Sequence, residues 1–283
     1  ASANKFVFKV SLPVQLFRDI AATDIYASFD GKYVLFCALS TLSSILVIWA
    51  LAKLLLKDKH LVGEFVQACY RSSAAILGTA FIQNIYGTSG MSGLMILGSV
   101  PLYNIFAVLI LTLESPSADA HAAMGDKIKA SIRGIFTNPI LIGIALGFVY
   151  SLLRLPLPTM ANKTLSSLAS LTSPLALLAI GAGFKGKAAL GYLRPTAAAT
   201  VIKLLVLPAV FLPLAFRMGF TNEKLVGLLV MLGSVTTPAG YVMAKQMGHE
   251  GVLTGSVCVT TTFFSALTLT FWVLLAHSLG YIV

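Results

Sequence analysis

Long apolar runs separated by short polar stretches fill this chain, and nine of them approach the length of a membrane span. They lie at 6–22, 33–56, 65–86, 93–112, 139–155, 164–184, 195–217, 224–246 and 251–276. A hydrocarbon core about 30 Å thick takes a helix of about 20 residues, so each run predicts a transmembrane helix. Two of the runs are interrupted. The third ends in Gly87-Thr88-Ser89-Gly90-Met91-Ser92-Gly93, and the eighth breaks at Thr236-Thr237-Pro238-Ala239-Gly240. A break frees backbone N–H and C=O groups that lipid cannot satisfy, so it survives only where it is buried in protein or lines a cavity.

The longest polar stretch, Glu114 to Thr137, divides the chain. Either side of it the pattern repeats weakly. Leu12-Pro13 in the first run mirrors Ser173-Pro174-Leu175 in the sixth, and the broken third run mirrors the broken eighth. Four runs before the divide and five after it predict ten helices in the intact protein, in two five-helix repeats, with the first helix missing here. An odd number of helices per repeat forces the two repeats to be inverted in the membrane. The expected organisation is a first repeat at 1–113, a cytoplasmic linker at 114–137 and a second repeat at 138–283. The expected fold is an all-α integral membrane protein with broken crossover helices. Interrupted spans at matching repeat positions are a sequence pointer to a transporter's binding site, and residues 87–90 are expected to meet 236–240 near mid-membrane.

Composition agrees with a membrane protein. Of 283 residues, 57% are hydrophobic and 11% charged, with a mean hydropathy of +0.89. A soluble domain carries about 25% charged residues. The net charge of +10 comes from short loops rather than a basic arm, which argues against nucleic acid as a partner. Lys5, Lys53, Lys57, Lys59, Lys127, Lys129, Arg133, Lys185, Lys187, Arg194 and Lys245 fall on one side, and Lys32, Arg154, Lys163, Arg217 and Lys224 on the other. The richer side is expected to be cytoplasmic, which leaves the C-terminus outside. The chain opens Ala-Ser-Ala-Asn-Lys, which reads as a loop start with no signal peptide. Cys37, Cys69 and Cys258 stand apart in apolar runs, without metal-ligand or disulfide spacing.

Polar residues inside spans carry the candidate chemistry. A half-helix that starts within the membrane presents free N–H groups and the positive end of its dipole, which favours an anion. Asn84, Tyr86, Thr88, Ser89 and Ser92 add hydrogen-bonding groups at one break, and Ser234, Thr236 and Thr237 at the other. The bland alternative is close helix packing through small residues. Lys203 lies near the middle of the seventh span, where a cation costs roughly 2.5–3.5 kcal/mol on insertion scales. It either attracts an anionic substrate or caps carbonyls at a helix break. Arg71 reads as a snorkelling residue; Lys9, Arg18 and Asp19 lie in the first span, and Arg18 and Asp19, near its outer end, read as solvated rather than as a proton relay. His60, His121, His249 and His277 read as surface histidines without metal-ligand spacing. Gly90-Met91-Ser92-Gly93 and Gly87-Thr88-Ser89-Gly90 both fit the GxSG pattern of intramembrane serine proteases, but a nucleophilic serine needs a positioned base. Only His277, at the far end of the last span, is a candidate. Gly125 to Phe136 has the pattern of an amphipathic surface helix, and a solvated linker helix is preferred.

The chain resembles the auxin efflux carrier family, in its bacterial branch of organic-anion permeases. Phe6-Val7-Phe8-Lys9-Val10-Ser11-Leu12-Pro13, Asn138-Pro139 with Ile142-Gly143-Ile144-Ala145-Leu146-Gly147, and Ser173-Pro174-Leu175-Ala176-Leu177-Leu178-Ala179-Ile180-Gly181 resemble its second, sixth and seventh helices. Lys203-Leu204-Leu205-Val206-Leu207-Pro208 resembles the eighth, and Pro238 with Ala244-Lys245-Gln246-Met247-Gly248 the ninth. The resemblance implies ten helices, a homodimer, a scaffold of helices one, two, six and seven, and a mobile core of the rest. It implies a site at the crossover of helices four and nine, with Asn84 matching the family's fourth-helix Asn. The Pro that usually follows that Asn is absent, and Ser89-Gly90-Met91 stands there. Family substrates include malate, malonate and, in plants, auxin. The expected function is therefore secondary transport of small mono- or dicarboxylates across the plasma (inner) membrane by alternating access, coupled to a proton or sodium. Asn84, Thr88, Ser89, Lys203, Thr236, Thr237, Pro238 and Gly240 are the expected substrate-binding residues, with no catalytic residue, metal or cofactor. A sodium-coupled carrier resembling bile acid symporters, an intramembrane serine hydrolase and a membrane sensor on a carrier fold are the alternatives.

Overall fold

A computed structural model describes residues 2–22, 29–87, 90–115, 134, 136–154, 157–184 and 186–282. Among them every regular element is a helix. The main ones, in chain order, are α1 (residues 2–21), α2 (Gly31–Leu55), α3 (Val62–Tyr70), α4 (Thr79–Tyr86), α5 (Gly90–Leu113), α6 (Pro139–Leu152), α7 (Thr159–Gly183), α8 (Leu193–Arg217), α9 (Asn222–Gly233), α10 (Pro238–Gln246) and α11 (Val252–Ser278). Most of the expected amphipathic segment 125–136 lies outside the described residues.

Five helices (α2, α7, α8, α11 and residues 91–113 of α5) are long and apolar enough to cross a membrane alone, and α9 with α10 forms a sixth, bent span. The sequence pattern predicts nine runs. The other three fall short for separate physical reasons. The run 2–21 carries Lys5, Lys9, Arg18 and Asp19, α6 has only 14 residues, and the span from Val62 to Tyr86 is broken.

The local sequence explains the ends. Asp30 caps α2 by accepting the Tyr33 N–H at 3.1 Å, and Asn138 caps α6 through the Ile140 N–H at 2.9 Å, with Pro139 at the first helical position. A capping group for α11 comes from far away in sequence. Gly251 has no side chain to offer, and the buried Glu64 of α3 accepts the N–H groups of Gly251 (2.7 Å) and Thr254 (3.0 Å) and the Thr254 hydroxyl (3.0 Å).

The helices pack as two groups. One holds α1, α6 and α7. Gly143 and Gly147 let α6 lie directly on α1: a Cβ at Gly147 would stand 2.8 Å from the Phe17 carbonyl oxygen, and one at Gly143 3.1 Å from the Pro13 Cα. The other group holds α2–α5 and α8–α11, with α9 buried on every side. The groups meet where α7 packs on α10 and α1 on α5. Three π-helical turns, Val7–Ser11, Ala74–Gly78 and Ile202–Val206, interrupt the α-helical hydrogen-bond ladder. Such turns occur often at functional sites.

Candidate functional site

The third span breaks at Arg71-Ser72-Ser73, not at the glycine-rich segment. α3 stops at Tyr70, Arg71 is extended (φ −74°, ψ 125°), and the chain re-enters a helix at Ala74. Gly87, at φ 72°, is instead the left-handed C-cap of α4. Gly87 thus ends a helix that the polar triplet has already broken. The expected meeting of 87–90 with 236–240 is replaced by one of 71–73 with 234–237.

The second break runs as drawn from the sequence. Ser234 (ψ 178°) and Thr237 (ψ 136°) are extended, and Pro238 opens α10. The two breaks touch directly, because the Ser73 N–H donates to the Val235 carbonyl at 3.0 Å. Side chains take up carbonyls that the truncated helices leave over. The Thr236 hydroxyl donates to Ala68 (2.8 Å), Lys203 Nζ to Tyr70 (3.0 Å), and the Ser72 (2.5 Å) and Tyr103 (3.0 Å) hydroxyls to Met231. The Thr236 N–H donates to the Thr261 hydroxyl, and Gln67 Nε2 donates to the Gly240 carbonyl. This is the bookkeeping that a break inside a membrane demands.

A cavity of about 50 Å³ lies against the crossing, between the two helix groups. That is room for a few water molecules at about 10–15 Å³ each. α1 contributes Gln15 and Asp19, and α7 contributes Thr172 and Ser173. The floor is Arg71 to Ile76 from one break and Thr237 to Ala239 from the other. The N-terminal ends of both inner half-helices therefore meet the same space. Ser73 provides no side-chain cap, so the first N–H groups after it have no intrahelical acceptor.

Arg71 is the cation at this junction among the described residues and is 3% exposed. Its Nη2 donates to Asn104 Oδ1 at 2.7 Å, and its Nη1 lies 3.2 Å from the Met243 sulfur. The Asn104 amide is oriented for this because its Nδ2 donates to the Val100 carbonyl at 2.9 Å. Arg71 Nε has no hydrogen-bond partner. Among the described residues no carboxylate pairs with the guanidinium. Burying a charge costs several kcal/mol unless a counter-charge and hydrogen bonds offset it.

A family model described as membrane transport protein matches residues 2–273. The chain belongs to the membrane transport protein family. It is the family that the residue motifs resemble. No curated protein matched the chain.

In this membrane transport protein the expected site residues separate. Thr237 and Pro238 line the cavity. Gly240 packs beside Arg71, where a Cβ would stand 3.6 Å from Arg71 Cδ. Thr236 is fully buried and serves as a latch between the breaks. Lys203 is fully buried, does not line the cavity, and takes the carbonyl-capping role. Asn84 is exposed on α4, thirteen residues beyond Arg71. Thr88 and Ser89 lie outside the described residues. Ser92 is buried.

Sequence reasoning passed over Arg71, Asn104, Gln15, Thr172 and Ser173. A signal for Arg71 was present. Arg-Ser-Ser is the one polar triplet inside the run 65–86, and a snorkelling reading hid it. Asp19 also moves from a solvated helix end to the cavity wall.

Proposed function

We propose that this protein is a secondary active transporter of small organic anions, mono- or dicarboxylates such as malate or malonate, working by alternating access. The observation that carries this reading is the buried guanidinium of Arg71, with no ion pair to a carboxylate among the described residues and with a free Nε, where two half-helix N-termini meet. A substrate carboxylate would supply the missing charge, accept from Arg71 Nε, and lie against the unpaired N–H groups after Ser73. Thr237, Pro238 and Gly240 would complete the opposite wall, with Lys203 and Thr236 holding the breaks in place. Asn84, exposed on α4, would not contact the carboxylate.

A cavity of about 50 Å³ is too small for malate, which fits an occluded resting arrangement. Opening would follow from sliding of the group α2–α5 and α8–α11 past α1, α6 and α7. The cavity lies between those groups, so their relative movement would expose it. In this reading the protein comprises inverted repeats at 1–113 and 138–283 joined by a linker at 114–137. It forms a homodimer in the plasma membrane with its C-terminus outside and couples transport to a proton or sodium.

The test is uptake into proteoliposomes. Labelled malate, malonate and a monocarboxylate such as acetate are offered to wild type and Arg71→Gln, with and without sodium and with a pH gradient. Accumulation by wild type and its loss in the variant is the expected result. Wild-type uptake by Arg71→Gln would overturn the site, and an absence of carboxylate uptake under any gradient would overturn the substrate class.

A further inference from the structure

A second cavity lies elsewhere. It is a groove of about 810 Å³ between α2 and α8, and it shares no lining residue with the crossover cavity. It runs along α2 from Ser43 to Leu55, thirteen residues and about 18 Å of helix. That is close to the depth of one leaflet, half of a core about 30 Å thick. It opens sideways rather than into the protein. Val47, Leu51 and Leu55 of α2, and Val206 and Val210 of α8, line it and are largely exposed. The shape is suited to a chain lying along the helices and entering from lipid.

Its chemistry is divided along its length. The body is aliphatic, and the end beyond Leu55 carries Lys57, Tyr192 and Arg194. Asp58 is there too, held by the His60 N–H at 3.0 Å, so the two cations outnumber it by one. Neither Lys57 nor Arg194 forms an ion pair among the described residues. Two basic residues and a tyrosine at the head-group level, above an apolar slot one leaflet deep, match the two parts of one molecule. Basic pockets between helices bind anionic head groups, and each Lys or Arg near the surface adds about five-fold to affinity.

We propose that this groove is a binding site for an anionic phospholipid of the leaflet that faces Lys57 and Arg194. One acyl chain lies between α2 and α8, and the phosphate meets Lys57 and Arg194. Because α2 and α8 belong to the group that would move, the lipid would travel with it.

Native mass spectrometry of the full chain, stripped of lipid in detergent, tests this with phosphatidylglycerol and phosphatidylcholine of identical chains. Wild type should retain phosphatidylglycerol at least ten-fold more tightly. Lys57→Gln with Arg194→Gln should erase that preference while leaving the weaker phosphatidylcholine binding. Val210→Trp, which fills the slot, should weaken both lipids, and inorganic phosphate should not displace phosphatidylglycerol. Equal retention of the two lipids by wild type would overturn the proposal, as would a preference that survives loss of both cations. Displacement by free phosphate would also overturn it, by showing an anion site without a chain site. If Val210→Trp instead breaks a dimer and leaves lipid retention intact, the groove is a protein interface and the proposal fails.

Discussion

Lys203 and Tyr70 are 133 residues apart in sequence, yet the lysine's ammonium donates to the tyrosine's backbone carbonyl at 3.0 Å in the centre of the protein. Tyr70 is the last residue of α3, so its carbonyl is one of those left over where the helix ends. A cation there also meets the negative end of the half-helix dipole. The lysine thus stabilises the break and lies away from the cavity.

That geometry separates the two buried cations experimentally. Lys203→Met leaves the Tyr70 carbonyl buried and unpaired, which costs about 1–3 kcal/mol. The expected outcome is a lower unfolding temperature with a substrate KM within about three-fold of wild type, since a loss near 1 kcal/mol or less is all that a few-fold change in affinity represents. Thermal unfolding and uptake kinetics on the same preparation check this. A collapse of binding with unchanged stability would return Lys203 to the site.

Arg71 should behave in the opposite way. A hydrogen bond to a charged group contributes about 1.5–3 kcal/mol, so Arg71→Gln should weaken carboxylate binding about ten- to a hundred-fold by isothermal titration. Asn104→Ala frees the guanidinium without removing it and should cost less, in the same direction. Asn84→Ala is the control. An exposed residue on α4 should change binding by less than about two-fold, and a larger loss would place the site toward residues 84–90 instead.

How much of this was legible from the residues follows from what each signal encodes. Apolar length reveals a span, and a proline after two threonines reveals a break, so α9, Pro238 and the membrane class were readable. Glycine was a poorer guide. Gly87 ends a helix in the left-handed region, which looks the same in sequence as the opening of a half-helix. The break at Arg71 depends on the Ser73–Val235 contact, on Asn104 turning its oxygen toward the guanidinium, and on Lys203 sitting in a π turn. All three are tertiary, and none leaves a local periodicity. Glu64 was missed for the same reason: its partners lie 187 and 190 residues away.

Glu64 gives a further prediction. Its carboxylate takes two N–H groups and a hydroxyl at the start of α11, and charged caps of this kind contribute more than neutral ones. Glu64→Gln retains the shape but loses the charge and should destabilise the protein by about 1–2 kcal/mol. In a double-mutant cycle Thr254→Val should cost less in the Glu64→Gln background than in wild type, because the two side chains share one bond. Strict additivity in denaturant or thermal unfolding would show that the cap carries no coupling energy.

The final prediction concerns pH at the opposite end of the molecule. Asp30 ties two elements together: it caps α2, and its Oδ2 meets Lys224 Nζ at 2.7 Å at the start of α9. The Lys224 hydrogen bond, with the Tyr33 N–H, holds its carboxyl below the usual carboxylate range. A carboxylate with a lowered folded-state pKa contributes stability that is fully present above the unfolded value near 3.9. That contribution is lost as pH falls below it, through the folded value. From pH 5 to 8 the difference in unfolding temperature between wild type and Asp30→Asn should therefore be constant, and it should shrink once pH drops below about 4. Because the pair is partly exposed, the plateau should be small and should fall further in high salt. Unfolding temperatures of both proteins, measured in the same detergent from pH 3 to 8, decide it. A difference that grows on acidification would mean that Asp30 binds its proton more readily in the folded protein, the reverse of the arrangement with Lys224.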